Sequence, residues 1–274
     1  MIKTMITQRL SRIATVAEFT LLEEVRGKVL NATFLFAAIL LYLGIIMSRL
    51  AQGFEERFIR DMSFFLIELF GIAILLQSAY RVVHQDVRKG ASIEIIFVRP
   101  IARWEYLLGR FIGVAFVLGV GISVMALFSG IWGLMRGYDL HWIYAITLVS
   151  VYFKLLTGLS LSFFFALITT SQASFLAASI LAYISGHVVS ELRMLLSMPQ
   201  NQDLTSSLVI KPITYLAPNF SLVDTKNTLS VITADPNAFD FGDFSLGVLY
   251  IIIYSAFLIV FSMLLFERKE ILPT

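Results

Sequence analysis

Six stretches of mostly apolar residues constrain the fold of this chain more than any other feature. The hydrocarbon core of a bilayer is about 30 Å thick, so roughly 20 apolar residues in a helix are enough to cross it. The stretches cover residues 29–48, 62–83, 106–135, 142–169, 173–198 and 244–266. The sequence therefore predicts an all-α integral membrane protein with six transmembrane helices, organised as a single transmembrane domain over residues 1–274.

Composition supports this class. Hydrophobic residues make up 58% of the chain and charged residues only 15%, against about 45–50% and about 25% in soluble domains. The chain contains no Cys, which excludes disulfides, thiolate nucleophiles and Cys-ligated metal sites. The formal net charge of +2 gives no case for binding nucleic acid. No metal-binding cluster and no catalytic residues are predicted.

The residues before the first apolar stretch are charged and amphipathic. A cleavable signal peptide would place its apolar core directly after a short basic start, and this chain does not. Apolar side chains instead recur every fourth residue, at Ile13, Ala17, Leu21, Val25 and Val29. This stripe predicts an interfacial helix within residues 1–28, with its charges including Glu18, Glu23 and Arg26. The simpler alternative is a charged cytosolic start to the first span.

Lys and Arg are concentrated before the first span, between the second and third spans, and after the sixth. The positive-inside rule therefore favours both termini on the cytoplasmic side. Residues 81–105 become a cytosolic loop, and residues 199–243, in which Asp outnumbers Lys, become an extracytoplasmic loop. Within that outer loop, residues 208–213 and 222–232 are apolar enough to pack or to dip into the interface.

The cytosolic loop carries the signals of a short stiff helix. Ser92 can cap a helix that begins at Ile93, and Pro100 ends that helix because the residue before a proline avoids helical geometry. Pro100 also suits the start of the next helix, which leads directly into the third span. We expect such an element to transmit a push from a soluble partner into the bilayer. The alternative is a basic anchor without a partner.

The same loop resembles that of a known transporter family. The run Ser92-Ile-Glu94 … Arg99-Pro100-Ile-Ala-Arg103-Trp-Glu105-Tyr-Leu-Leu-Gly109-Arg110 is similar to the loop after the second span in permeases of the ABC-2 type ATP-binding-cassette transporters. Ala91, Ser92 and Arg110 depart from the usual Gly, Thr and Lys of that pattern. Residues 17–28 and 266–269 resemble the interfacial helix and the basic C-terminal end of the same family.

The resemblance implies a permease subunit of an exporter in the cell (inner) membrane. It implies two cytosolic ATPase subunits, which bind ATP and Mg, and a second permease half that makes a homodimer. ATPase coupling would then involve Asp86, Ser92, Glu94, Pro100, Arg103, Glu105 and Gly109. The chain has no GxxxxGK[ST] phosphate loop, so we expect no cofactor in it and ATP hydrolysis in the partner.

Three ionisable residues are predicted to lie within spans: Glu68, Lys154 and His187. A charge at bilayer depth costs roughly 2.5–3.5 kcal/mol on insertion scales, so it needs a partner, water or neutralisation. Glu68 and Lys154 are natural partners for each other. They could form a structural pair, line a substrate path, or lie nearer the surface than the span boundaries suggest. His187 is expected to be a hydrogen-bonded core histidine.

Two alternative functions stay open at this point. The chain could be a non-transporting transmitter that passes the motion of an ATPase to an extracytoplasmic partner through residues 199–243. It could also be a membrane-embedded enzyme, although such an enzyme needs several polar groups at one depth and the sequence offers few.

Overall fold

The computed structural model describes residues 2–26, 29–50, 55–83, 102–138, 141–197, 210–226 and 239–268. All regular secondary structure in these ranges is helical. The long helices are α1 (Ile2–Arg26), α2 (Val29–Leu50), α3 (Glu55–Tyr80), α4 (Arg103–Met135), α5 (Ile143–Ile168) and α6 (Gln172–Ser197). A short helix α7 (Lys211–Leu216), a 3₁₀ turn (Phe220–Leu222) and the long helix α8 (Phe241–Arg268) follow.

Among the described residues, five helices are long and apolar enough to cross a membrane: α3, α4, α5, α6 and α8. Their bounds agree with the second to sixth predicted spans to within a few residues, apart from the earlier start of α3. The protein therefore has the architecture of a multi-pass helical membrane protein. The first predicted span coincides with α2, a helix of 22 residues, in which Phe34–Ile46 forms a shorter apolar stretch. A sixth crossing remains a prediction.

The bundle carries large apolar side chains on its outside as well as in its core. Large apolar side chains such as Phe116, Leu181 and Phe257 are exposed on the outside. Helix α5 lies at the centre and contacts α3, α4, α6 and α8. Its hydroxyl-bearing residues Ser150 and Thr157 are fully buried. An apolar exterior around polar interior positions is the pattern expected of helices surrounded by lipid, because polar groups there find partners only inside the protein.

Helix α1 lies along the first half of α4, and two glycines allow the close approach. A Cβ placed on Gly109 would lie 2.7 Å from Cβ of Val16, and one on Gly113 would lie 2.6 Å from Cβ of Thr20. Small residues four apart form a flat strip that lets two helix backbones meet. The predicted N-terminal helix is therefore present, and it packs against the membrane bundle.

Part of the predicted outer loop lies inside the bundle. We call residues 219–226, from Asn219 to Lys226, the inserted segment. Phe220 and Val223 are buried in the main hydrophobic core, and Thr225 is buried as well. The segment fits because Gly186 and Gly247 lack side chains: a Cβ on Gly186 would lie 2.6 Å from Phe220 Cε2, and one on Gly247 would collide with the Leu222 carbonyl oxygen.

Candidate functional site

Two groups of charged residues stand out, and the first joins α1 to the beginning of α4. Glu105, on the first turn of α4, is only 2% exposed. Its carboxylate accepts a hydrogen bond from the Ala102 backbone N–H at 3.3 Å. It also lies 3.7 Å from Arg9 Nε and 3.6 Å from Arg12 Nη1, both on α1. Glu105 therefore caps its own helix and holds α1 at the same time.

Further along α1, two acidic residues hold two arginines from other helices. Arg81, just after α3, donates to Glu24 Oε2 at 2.5 Å, and its Nη1 lies 3.7 Å from Glu23. Arg110 of α4 donates to Glu23 Oε2 at 2.6 Å, and its Nε donates to the Tyr106 hydroxyl at 3.0 Å. We call these ion pairs, together with those of Glu105, the α1 network. It joins α1 to the end of α3 and the start of α4.

Glu24 is the most buried acid of the α1 network after Glu105. Burial raises the pKa of the Glu24 carboxyl above its ordinary value of 4.5, although the Arg81 guanidinium opposes that shift. Burial dominates because removing a carboxylate from water disfavours its charged form. Proton uptake by Glu24 therefore loosens the contact with Arg81 at a higher pH than an exposed Glu would.

The predicted coupling residues fall into two groups. Asp86, Ser92, Glu94 and Pro100 lie outside the described residues. Glu105 and Gly109 both contact α1, and Arg103 is half-buried at the start of α4. Among the interfacial residues, Glu18 is exposed and Glu23 is paired, whereas the side chain of Arg26 lies outside the described part.

The second group, which we call the polar cluster, lies in the middle of the bundle around Glu68. Glu68, Lys154 and His187 each lie near the middle of a long helix: α3, α5 and α6. The Tyr183 hydroxyl donates to Glu68 Oε1 at 2.6 Å, and His187 Nε2 lies 3.0 Å from the same oxygen. Lys154 Nζ lies 3.8 Å from Glu68 Oε2. The three predicted intramembrane residues therefore come together at one place.

The inserted segment adds two more charges to the polar cluster. Lys226 Nζ donates to Glu68 Oε2. Asp224 Oδ1 lies 3.5 Å from Lys154 Nζ and accepts a hydrogen bond from the Lys226 backbone N–H at 3.1 Å. Two carboxylates thus face two ammonium groups, which offsets the cost of placing charge at this depth.

Hydrogen bonds and ring contacts hold the inserted segment in place. The Ser150 hydroxyl donates to the Val223 carbonyl oxygen, and the Thr225 hydroxyl donates to Thr147 Oγ1 at 3.0 Å. The Phe220 ring contacts those of His187 and Tyr183, with centroid distances of 5.0 and 5.2 Å. Backbone that is not helical is tolerated at such depth because it is buried in protein and finds partners there.

Sequence reasoning missed Asp224, Lys226 and Tyr183 as members of this site. It assigned the first two to an outer loop, where charges ordinarily face water. A signal was nevertheless present: the mostly apolar stretch Phe220–Val223 is followed by Asp224 and, two residues later, by Lys226. That pair mirrors the acid and the base predicted within the spans.

No protein-family model matches the sequence, and no curated protein matches it. The resemblance to ABC-2 type permeases therefore depends on the local motifs and on the six-span layout predicted from the sequence.

Proposed function

We propose that the chain is the permease subunit of an ATP-driven exporter of the ABC-2 type. The observation that carries the proposal is the α1 network. It ties α1 to the end of α3 and to the start of α4, the two helical ends that flank residues 84–101, in which the predicted coupling helix falls. A force applied to that stretch would move α1, the end of α3 and the start of α4 as one body.

In this proposal the chain crosses the inner membrane six times, with both termini in the cytoplasm. Two ATPase subunits bind ATP and Mg and contact residues 81–105, and a second copy of the chain completes the pathway. Because Glu105 caps the first turn of α4 and pairs with Arg9 and Arg12 of α1, the push reaches α4 with little bending of its first turn. Helix α4 contacts α5 and α8, so its displacement reaches the centre of the bundle.

The polar cluster favours transport over purely mechanical transmission. A transmitter needs rigid packing, which apolar side chains supply without the cost of burying charge. Five ionisable side chains near the middle of the helices are instead the kind of feature that marks a pathway for a polar cargo group.

Co-purification of the ATPase tests the proposal. The tagged full chain is extracted from its native membranes in mild detergent and assayed for bound ATP hydrolysis. We expect activity with the wild type and at least about tenfold less with Glu94→Lys combined with Arg103→Ala, because docking loses two polar contacts.

The matched control is Glu56→Lys with Arg57→Ala, the same chemical change at the opposite end of α3. Both side chains are exposed, and the ion pairs that they make within the described part of the chain lie within one helical turn. This control should retain the ATPase. Equal ATPase yield from both double variants, with equal insertion, would refute the coupling role.

A further inference from the structure

The charges of the polar cluster divide into two neutral pairs. The helices contribute one acid and one base, Glu68 and Lys154, and the inserted segment contributes the other two, Asp224 and Lys226. If the segment leaves, it takes no net charge with it, and it leaves none behind. The formal charges of these four residues therefore sum to zero whether or not the segment is present, so its removal would leave no unpaired charge on the helices.

Within the cluster, the inserted segment presents its two charges to the opposite charges of the helices. Its ammonium group, on Lys226, meets the Glu68 carboxylate, and its carboxylate, on Asp224, faces the Lys154 ammonium. The two receiving atoms, Glu68 Oε2 and Lys154 Nζ, are 3.8 Å apart. The segment thus places a positive and a negative group, both attached to the chain, against Glu68 and Lys154. These two residues can receive one ammonium group and one anionic group that lie close together.

Lys154 has unused binding capacity. Its side chain is 0% exposed, and within the part of the chain that the structure describes its Nζ makes no hydrogen bond. Its acceptors there are Asp224 Oδ1 at 3.5 Å and Glu68 Oε2 at 3.8 Å, both farther than an ordinary N–H···O hydrogen bond. An ammonium group carries three donors, so a group with more acceptor oxygens than Asp224 offers, such as a phosphate, would fit Lys154 better.

Exposure is uneven across the cluster. Lys226 is 23% and Asp224 20% exposed, whereas Glu68 is 10% and Lys154 0% exposed. The inserted segment is therefore on the accessible side of the site, and the helix-borne pair is behind it. Because the site lies near the middle of long apolar helices, a molecule that reaches it from the side must tolerate an apolar surrounding, as a lipid does.

We propose that Glu68 and Lys154 bind a zwitterionic phosphoethanolamine-type group, with its ammonium on Glu68 and its phosphate on Lys154. Asp224 and Lys226 occupy this site until cargo displaces them. The inference deepens the proposed transport function, because it names the chemical class of the cargo. The group can come from phosphatidylethanolamine in the bilayer or from free phosphoethanolamine.

The test measures lipid affinity of the purified full chain by titration and native mass spectrometry. The probes are phosphatidylethanolamine, phosphatidylglycerol and free phosphoethanolamine. Asp224→Asn with Lys226→Gln should bind phosphatidylethanolamine at least about tenfold more tightly than the wild type. A tethered occupant lowers the apparent affinity by the fraction of time that the site is filled, and this variant removes the occupant's charges.

The matched control is Asp243→Asn with Lys211→Gln. It makes the same changes in the same predicted loop at exposed positions, and it should leave the affinity unchanged. Adding Glu68→Gln to the first variant should abolish its gain. Competition by free phosphoethanolamine at equal concentration would assign the site to a soluble source, and its absence would assign the site to the lipid.

If the double variant does not fold, Lys226→Gln alone replaces it. Its thermal midpoint should then rise more with phosphatidylethanolamine than that of the wild type. The proposal is overturned if the variants bind phosphatidylethanolamine no better than the wild type, or if phosphatidylglycerol gains equally. This assay needs no ATPase, so its failure would remove the headgroup assignment while leaving the co-purification result unaffected.

Discussion

The α1 network and the polar cluster are both built from ion pairs, yet they differ in how far water reaches them. In the network, one partner of most pairs is partly exposed, as Arg9 and Glu23 are. In the cluster, the central pair of Lys154 and Glu68 is enclosed on both sides, although Lys226 and His187 around it are partly exposed. Exposed pairs contribute about 0–1 kcal/mol, whereas breaking a buried pair costs about 3–5 kcal/mol. The network is therefore suited to positioning helices, and the cluster to controlling which state the bundle adopts.

The largest effect is expected from Lys154→Ala. It leaves Glu68 and Asp224 with one ammonium fewer between them, so the variant should lose about 3 kcal/mol of stability. Thermal unfolding in detergent measures this loss. Arg57→Ala, which removes an exposed pair with Asp61, is the control and should change stability by no more than about 0.5 kcal/mol. Equal tolerance of the two changes would mean that water reaches Lys154.

Gly113→Ala should detach or displace α1. The new methyl group would lie 2.6 Å from Thr20 Cβ, and overpacking of this kind costs about 1–3 kcal/mol. Protease sensitivity within residues 2–26 should rise.

Gly119→Ala, on the same helix, provides the comparison. Its Cβ would lie 3.4 Å from the nearest atom, on the Tyr152 side chain, and alanine favours a helix over glycine. Protection of α1 in this variant should be unchanged. If both variants stay equally protected, the contact between α1 and α4 is looser than described.

Glu105→Gln should have a smaller effect, of about 0.5–1 kcal/mol. The variant keeps a side-chain oxygen that accepts the hydrogen bond from the Ala102 backbone N–H. It loses the charge that holds Arg9 and Arg12, and pairs with such partly exposed partners contribute little. Salt should weaken the difference from wild type because screening acts on exposed pairs. A salt-independent difference would indicate that the pair is closed to water.

The smallest effect is a pH dependence at Glu24. Because its pKa is raised in the folded protein, the folded state binds this proton more tightly than the unfolded state does. The resulting stability is fully present below pH 4.5 and is lost as the pH rises through the folded value. The thermal midpoint of the wild type minus that of Glu24→Gln should therefore fall from pH 4 to pH 7. A difference that rises with pH would contradict the assignment.

The sequence predicted the long helices well because the length of an apolar stretch is a local property. Because a charge at bilayer depth is costly without a partner, the sequence also predicted that Glu68 and Lys154 pair with each other. The positions of Asp224 and Lys226 in the polar cluster were not predicted, because their partners are far away in the chain. No local sequence pattern indicates that a loop folds back among helices. The contacts of Glu105 and Gly109 with α1 escaped for the same reason.

The proposed function requires that an ATPase contacts residues 84–101, between α3 and α4. A photoreactive benzophenone residue at Phe97, within that stretch, tests it most directly in native membranes, with Trp142 at the start of α5 as the control position. We predict a crosslinked adduct from position 97 that contains a polypeptide with a phosphate-loop sequence, and no such adduct from position 142. An ATPase adduct from neither position, or equally from both, would contradict the account.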